Sequence, residues 1–423
     1  MSMVTGWAKT AFLSGLGGVT GGALTVACPS GTHRFGESGE LDATLTVHDE
    51  RFFRRALTGS DIGFGESYMD GDWTTPDLVS LVRLMLRNRR GLEARSRVAG
   101  VLHQLAGGVA RRLRDNSLAG SRRHIHRHYD LGNDFFRLFL DTELLMYSCG
   151  YFKSAADTLE QAQALKVDRI CRALQLSPDD HVLEIGSGWG GFAVWAATRY
   201  GCRVTTTTIS EEQYRHVCDW RSRIGAAGAR IEVLRTDYRQ LTGRFDKAVS
   251  IEMFEAVGLD HYDDYFSAVD RLLVPDGLMY LQTITVDDQW FPKYHGTPDW
   301  IEKYIFPGGE LASMGEILKS LARTTSLSLY RAENCGTHYA RTLRAWRERF
   351  HHHLARVRAL GFDEHFIRMW DLYLGACEAT FLERHTGLFQ LLLLKNGAQR
   401  VLYNEPWSEP GNAPRPAASE PAA

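Results

Sequence analysis

The chain has no CxxC pair and no Cys/His spacing of the zinc-binding kind among its seven cysteines, at 28, 149, 171, 202, 218, 335 and 377. An odd, scattered set indicates neither a disulfide framework nor a structural metal, and it fits a reducing, intracellular compartment best. Runs of about 18 or more apolar residues are also absent, so no membrane-spanning helix is expected. Net charge is nearly missing too: 49 Lys and Arg face 51 Asp and Glu, a formal −2. Dedicated nucleic-acid binders are usually strongly basic, so no nucleic-acid partner is expected. What is present is 44% hydrophobic and 24% charged residues in 423. That is the composition of a globular chain, and the length calls for two or more units.

The balanced total hides an uneven distribution. Between Arg83 and Arg127 stand twelve arginines, no lysine, and only Glu93 and Asp115 as acids. That stretch carries +10, so the rest of the chain sums to −12. The chain start, MSMVTGWAKTAFLSGLGGVTGGALTVACPS, has the outline of a signal peptide. Its basic part is only Lys9 and glycines break its apolar part, so it reads instead as a small strand-bearing element.

Residues 22–56 alternate short apolar runs with turn residues, which predicts strands around turns, the first turn at Pro29-Ser30-Gly31. GFGESYMDGDW (63–73) reads as a loop, and Pro76 opens a helix with Leu78, Leu81, Val82, Leu84 and Leu86 on its core face. A boundary falls near 115–121, in polar DNSLAGS. HYDLGNDFFRLFLD (128–141) is an aromatic helical stretch and 158–176 an amphipathic helix. Strands then alternate with helices: HVLEIGS, CRVTTTTI, ARIEVLRTD, FDKAVSIEMF and GLMYLQTITV. This rhythm predicts a doubly wound parallel sheet. From 288 to 345 the rhythm gives way to loops and helices, GLFQLLLLKNG (387–397) reads as a late strand, and the tail is rich in Pro, Ala and Glu.

VLEIGSGWGG (182–191) is the most informative short motif. A buried strand ends, Gly186, Gly188 and Gly190 follow, and a helix opens. Glycine permits the tight turn and the close approach of a ligand to free helix N–H groups. A tight strand–helix turn without a ligand is the alternative. A dinucleotide loop expects an acid at the end of the second strand, and TTTTIS (205–210) has none. Glu184, two positions before the first glycine, is instead the pattern of S-adenosylmethionine (SAM) methyltransferases. Asp237, ending the third strand, then suits the adenine amino group or a helix N-cap equally. Ser210 with Gln213 reads as a capping box.

HYDLGNDFFRLFLD, YSCGYF (147–152), EIGSGWGG, IEMFEAVG (251–258), IFPGG (305–309) and HYARTL (338–343) occur in this order. Together they resemble the cyclopropane-fatty-acyl-phospholipid synthase family, which includes mycolic acid cyclopropane synthases. GFGESYMDGDW is similar to the extra N-terminal domain of the phospholipid-acting members. The resemblance implies an α/β fold: a class I SAM-dependent methyltransferase, Rossmann-like, with a helical lid insertion and a smaller N-terminal α+β domain. The implied division is a lipid- and membrane-docking domain at 1–120, a catalytic domain at 121–404 with an insertion at about 286–340, and a disordered tail at 405–423.

The implied activity is transfer of a methyl(ene) group from SAM to the cis double bond of an unsaturated phospholipid acyl chain, giving a cyclopropane. C-methylation giving methyl-branched or methylene chains on the same scaffold is the near alternative, and a non-catalytic lipid-binding protein a distant one. Carried over residue by residue, Tyr129, Glu184, Gly186, Gly188, Gly190, Thr208, Ile209, Gln213, Asp237, Tyr238 and Arg239 would line the SAM pocket. The family's general base is a bicarbonate ion, whose holders map to Cys149, Glu255, Gln282, Ile284 and Tyr339. Gln282 departs from the family's histidine: an amide donates a hydrogen bond to an anion but carries neither charge nor proton. No resident metal is implied, and a homodimer is the assembly to consider.

Those residue types suit the chemistry. An alkene is a weak nucleophile, so positioning carries much of the rate. Attack leaves a carbocation, which aromatic faces stabilise. Tyr147, Phe254, Trp290, Tyr304 and Tyr339 are candidates, with core packing as the plain alternative for each. Where the proton then leaves decides between a ring and a branched alkene. Cys149 as a covalent nucleophile lacks an adjacent histidine. The arginine block suits anionic head groups, each basic residue near the surface contributing about 1 kcal/mol, whereas its plain reading is a solvated face paired with acids elsewhere. A cytoplasmic enzyme held peripherally on the inner membrane face is the expectation.

Overall fold

The structure is a computed structural model that describes residues 3–89, 91 and 131–398. Tyr129, nine of the twelve arginines and the 405–423 tail lie outside the described residues.

The first sheet is four-stranded, in the order β2-β1-β3-β4. Its strands are β1 (Leu24–Cys28), β2 (Gly31–Phe35), β3 (Ala43–Val47) and β4 (Trp73–Thr74). β1 and β2 form the expected hairpin, and β1 pairs parallel with β3. The chain start bears its expected strand at Leu24–Cys28, after a helix over Met3–Gly15 that was not expected. One expectation fails here. Residues 63–69 belong to a helix, Arg51–Met69, kinked at Ser60 (φ 51°). Its glycines are there for close packing. A Cβ on Gly63 would lie 2.1 Å from the Arg55 carbonyl oxygen, and one on Gly65 would lie 2.3 Å from the Trp300 indole. The helix after Pro76 runs Leu78–Arg87, capped by the Asp77 side chain on Ser80 N, and buries Leu78, Leu81 and Leu84.

The second sheet holds seven strands in the order β10-β11-β9-β8-β5-β6-β7. These are β5 (His181–Ile185), β6 (Arg203–Thr207), β7 (Ile231–Leu234), β8 (Phe245–Ile251), β9 (Leu273–Val286), β10 (Leu327–Asn334) and β11 (Thr386–Lys395). β7, β6, β5, β8 and β9 run parallel, while β11 pairs antiparallel with β9 and β10 with β11. β10 lies within the span read as loops and helices. It is an edge strand with a mostly exposed pattern, LSLYRAEN, so it shows no apolar run to find. Helices cover both faces. Val167, Ile170, Phe192 and Val217 pack on one, and Tyr262, Val269, Ile317 and Leu321 on the other.

A third core joins the two sheets. It runs from Phe52, Trp73 and Leu81 through Phe135 and Phe139 to Tyr339, Trp346 and Trp370, on helices Gly336–His352 and Glu364–Leu382. Within it Asp371 accepts from Tyr68 Oη and Arg347 Nε, both at 2.7 Å, and lies 2.7 Å from His351 Nε2. Three partners and burial fix the relative position of the elements that meet there.

Candidate active site

The glycine loop leaves the carboxyl end of β5 and a second turn leaves the carboxyl end of β8, its neighbour in the sheet. Ligands in open α/β sheets bind at such ends. Gly186, Gly188 and Gly190 take positive φ values of 95°, 49° and 94°, which glycine adopts without steric cost. Nothing lies within 4 Å of where a Cβ on Gly188 would sit, so the backbone is accessible there. A Cβ on Gly186 would lie 2.9 Å from the Met253 side chain, which places the two turns in contact.

Glu184 is buried and takes one hydrogen bond, from Thr206 Oγ1 at 2.6 Å. Burial pushes its carboxyl up to about 8, the Thr206 bond opposing. A cationic ligand group beside it would reverse that shift. Thr208 Oγ1 donates to Gln213 Oε1 at 2.8 Å, so the Gln213 side chain turns toward the β6 end. Only half of the expected capping box forms: Ser210 accepts from Gln213 N at 3.3 Å, while Ser210 N donates to Thr208 Oγ1. Asp237 caps the turn Tyr238–Gln240 and pairs with Arg239 through Nε and Nη2, both at 2.8 Å. Tyr238 is buried against Tyr265. Ile209 follows Thr208 in the same loop.

The five residues expected around bicarbonate fall into two groups around a pair of carboxyls. Three of them close on a side chain, that of Glu252. Its Oε1 accepts from Cys149 N at 2.9 Å and from Gln282 Nε2 at 2.7 Å, and its Oε2 accepts from Tyr339 Oη at 2.6 Å. The other two stand beside it: Glu255 Oε1 accepts from Ile284 N at 2.5 Å and Thr283 Oγ1 at 3.1 Å, and its Oε2 has no partner. Glu252 has φ 50°, in the left-handed region that favours glycine. A long side chain held there costs about 1–3 kcal/mol, and such positions cluster at functional sites. Bicarbonate therefore does not fit this cradle, because the chain's own carboxylate fills it.

The comparisons with known proteins agree with the fold. A family model described as mycolic acid cyclopropane synthetase matches residues 116–391. The chain belongs to that family. It is 39% identical over 368 residues to the tuberculostearic acid methyltransferase UfaA1 of Mycobacterium tuberculosis, covering 84% of each chain. It is 37% identical over 366 residues to the cyclopropane-fatty-acyl-phospholipid synthase of Escherichia coli K12, covering 84% of this chain and 88% of that one. The solved cyclopropane synthase MmaA2 of Mycobacterium tuberculosis superposes with a TM-score of 0.61 at 33% identity, over 65% of this chain and 98% of that one. The mycolic acid cyclopropane synthase CmaA1, solved with S-adenosylhomocysteine and CTAB, gives 0.59 at 31% identity over the same shares. The chain is thus a SAM-dependent methyltransferase of the class I fold.

In this family member the two neighbouring carboxyls differ in their donors. Burial and the Glu252 charge push Glu255 up to about 8, which favours its protonated form. Burial also raises Glu252, but Tyr339, Cys149 N and Gln282 oppose it, with Lys166 adding a favourable charge. Glu252 has three donors against two on Glu255, which favours the negative charge on Glu252. Lys166 is fully buried, donates to Ser148 Oγ at 2.7 Å and is lowered to about 8 by burial. Gln163 Nε2 holds the Ser148 carbonyl at 2.8 Å, so helix Leu159–Ala173 sets the position of the Cys149 N–H. That helix begins at a complete capping box, Thr158 with Gln161.

Cys149 meets Glu252 through its backbone N–H. Its thiol is buried, donates to the Gly150 carbonyl at 3.1 Å and is pushed far up by burial, so it is no nucleophile. Of the aromatic candidates, Tyr339 is at the cradle and Tyr147 is linked to it through Trp346, with ring centroids 6.1 and 5.3 Å apart. Phe254 packs in the opposite core against Tyr262 and Tyr265, Tyr304 Oη bonds Glu66, and Trp290 lies under Lys293 and Arg89. Those three are not brought to the cradle. Glu252 is the residue that sequence reasoning missed, although it stands three positions before Glu255 in the same motif. Its signal is Gln282, an amide whose N–H2 donor matches a resident carboxylate.

Proposed function

We propose that this enzyme transfers a methyl group from SAM to the cis double bond of an unsaturated phospholipid acyl chain and closes a cyclopropane ring. The observation that carries the reading is a buried carboxylate cradle in contact with a SAM-type glycine loop, on adjacent strand ends. SAM fits the residues present: an accessible backbone at Gly188, the single-partner carboxylate of Glu184, and Thr208, Gln213, Asp237, Tyr238 and Arg239 around the β6 and β7 ends. When bound, SAM supplies the electrophilic methyl group. Gly186, Gly188 and Gly190 allow its close approach, and Glu184 receives its ammonium group. Tyr339, at the cradle, would be the ring nearest the cation left on the acyl chain and would stabilise it without attacking it.

A second reading, a methyl-branched or methylene chain, has support from the relative named as a tuberculostearic acid methyltransferase. The two share methyl transfer and the resulting cation, and part afterward, by a hydride shift or by which carbon loses the proton. The deciding experiment is mass spectrometry of lipids from an expressing host. An acyl chain gaining one CH2 unit (about 14 mass units) and resisting hydrogenation supports the ring. A product that takes up hydrogen means a methylene chain, and no mass change sinks both.

The protein would reach its substrate by docking on an anionic membrane surface through the arginine-rich stretch. Arg83 and Arg87 are already engaged with Glu383 and Glu40, so the docking charge would come from the arginines after Arg89. Among the described residues no helix is long and apolar enough to cross a membrane. Vesicle sedimentation tests the idea: Arg111, Arg112 and Arg114 changed to Glu should release the protein from phosphatidylglycerol vesicles, and undiminished binding refutes it.

A further inference from the structure

We infer that Glu252 is the general base of this enzyme, a carboxylate built into the chain that takes the place of a diffusible bicarbonate ion. The inference rests on the acyl-chain reading above and goes beyond it. Three donors expected around an exogenous anion converge on Glu252 instead: Cys149 N, Gln282 Nε2 and Tyr339 Oη. They make three hydrogen bonds to a group with about four acceptor sites, two of them on Oε1 and one on Oε2. One acceptor site on Oε2 is left to take a proton.

The orientation of Gln282 is itself determined. Gln390 Nε2 donates to Gln282 Oε1 at 2.8 Å, and Tyr280 Oη donates to Gln390 Oε1 at 2.9 Å. This chain of amides turns the Gln282 nitrogen, its only donor end, toward Glu252. All three residues are buried in adjacent strands β9 and β11, paired in register at 282 and 390. The left-handed backbone of Glu252 adds a second, independent mark: the position suits glycine, and a glycine there would leave the cradle open for an ion.

The step balances within the chain and its substrates. Methyl transfer leaves a cation on the acyl carbon. Glu252 Oε2 takes a proton from the newly added methyl group. The C–H pair forms the third carbon–carbon bond of the ring, or, when the proton leaves from a neighbouring carbon, a double bond. The proton departs afterward to solvent, restoring the carboxylate.

The test uses the full chain with SAM and vesicles of dioleoyl phosphatidylethanolamine and phosphatidylglycerol. Turnover is followed in carbon-dioxide-free buffer and with added sodium bicarbonate, and binding of 13C-labelled bicarbonate is followed by NMR. Expected are a wild-type rate indifferent to bicarbonate and no bicarbonate bound. Glu252→Gln should lose about 10²–10⁴ in kcat with SAM affinity unchanged. Glu252→Gly, which relaxes the backbone, should bind labelled bicarbonate and regain turnover when it is added. A wild-type rate that depends on bicarbonate, or labelled bicarbonate bound by the wild type as by Glu252→Gly, overturns the inference. So does a Glu252→Gln variant with wild-type kcat. A wild type that makes no product in either buffer overturns the acyl-chain reading instead, and the binding measurement still decides who occupies the cradle.

Discussion

Two turns at neighbouring strand ends have the same backbone problem and opposite solutions. After β5, positive φ values fall on Gly186, Gly188 and Gly190, and the backbone stays open at Gly188. After β8, a positive φ falls on Glu252, and a carboxylate fills the space with three hydrogen bonds. The first turn is built for a group that comes and goes with each cycle. The second holds a group that stays. The difference shows how a methyl donor that must be replaced and a base that only exchanges a proton call for different constructions on one scaffold.

Substitutions at the two turns should therefore separate in kinetics. The largest effect is expected at the resident carboxylate, where Glu252→Gln should lower kcat by about 10²–10⁴ and leave the SAM dissociation constant alone, checked by steady-state rates and calorimetry. A matched loss in SAM affinity would erase the distinction. Gly186→Ala should do the reverse. At φ 95° and with its Cβ 2.9 Å from Met253, it should weaken SAM binding by about 1–2 kcal/mol, roughly tenfold, with kcat at saturating SAM little changed.

A smaller effect is expected from Gln390→Leu, which removes the donor that orients Gln282. Losing a donor to a carboxylate disfavours its charged form. The rising limb of the kcat–pH profile should shift to higher pH, with kcat down by roughly threefold to tenfold at neutral pH. A uniform loss with no shift of the limb would mark a merely structural role.

The smallest effect is on stability. Glu184 and Glu255 are raised from an ordinary 4.5 to about 8 in the folded chain. Stability from a group raised in this way is fully present below the unfolded value and is lost as pH rises through the folded one. Without SAM, the melting temperature should therefore decline between pH 4.5 and about 8, and Glu184→Gln should flatten that decline. Saturating SAM should also flatten it, because a cation beside Glu184 favours the charged carboxylate.

Much of this molecule was legible in its sequence. The five parallel strands, the late strand at 386–395 and the glycine loop all carry local signals, apolar runs bounded by turn residues. Elements whose reason lies in their neighbours were not legible. Gly63 and Gly65 look like loop residues until Arg55 and Trp300 are seen against them. β10 is too polar to resemble a strand until β11 is beside it. Phe254, Trp290 and Tyr304 pass for cation-stabilising rings on composition, and only packing directs them elsewhere.

The sequence by itself determined the family, the parallel sheet and the glycine loop, because each is written in residues close together along the chain. It also named Cys149, Gln282 and Tyr339 as holders of a base. Only the tertiary structure decided what they hold. Those three residues and Glu252 come from four separate segments, 103 and 30 residues away for Cys149 and Gln282 and 87 for Tyr339. A hydrogen bond is a matter of about 3 Å in space, and no spacing along a chain encodes which carboxylate will reach it.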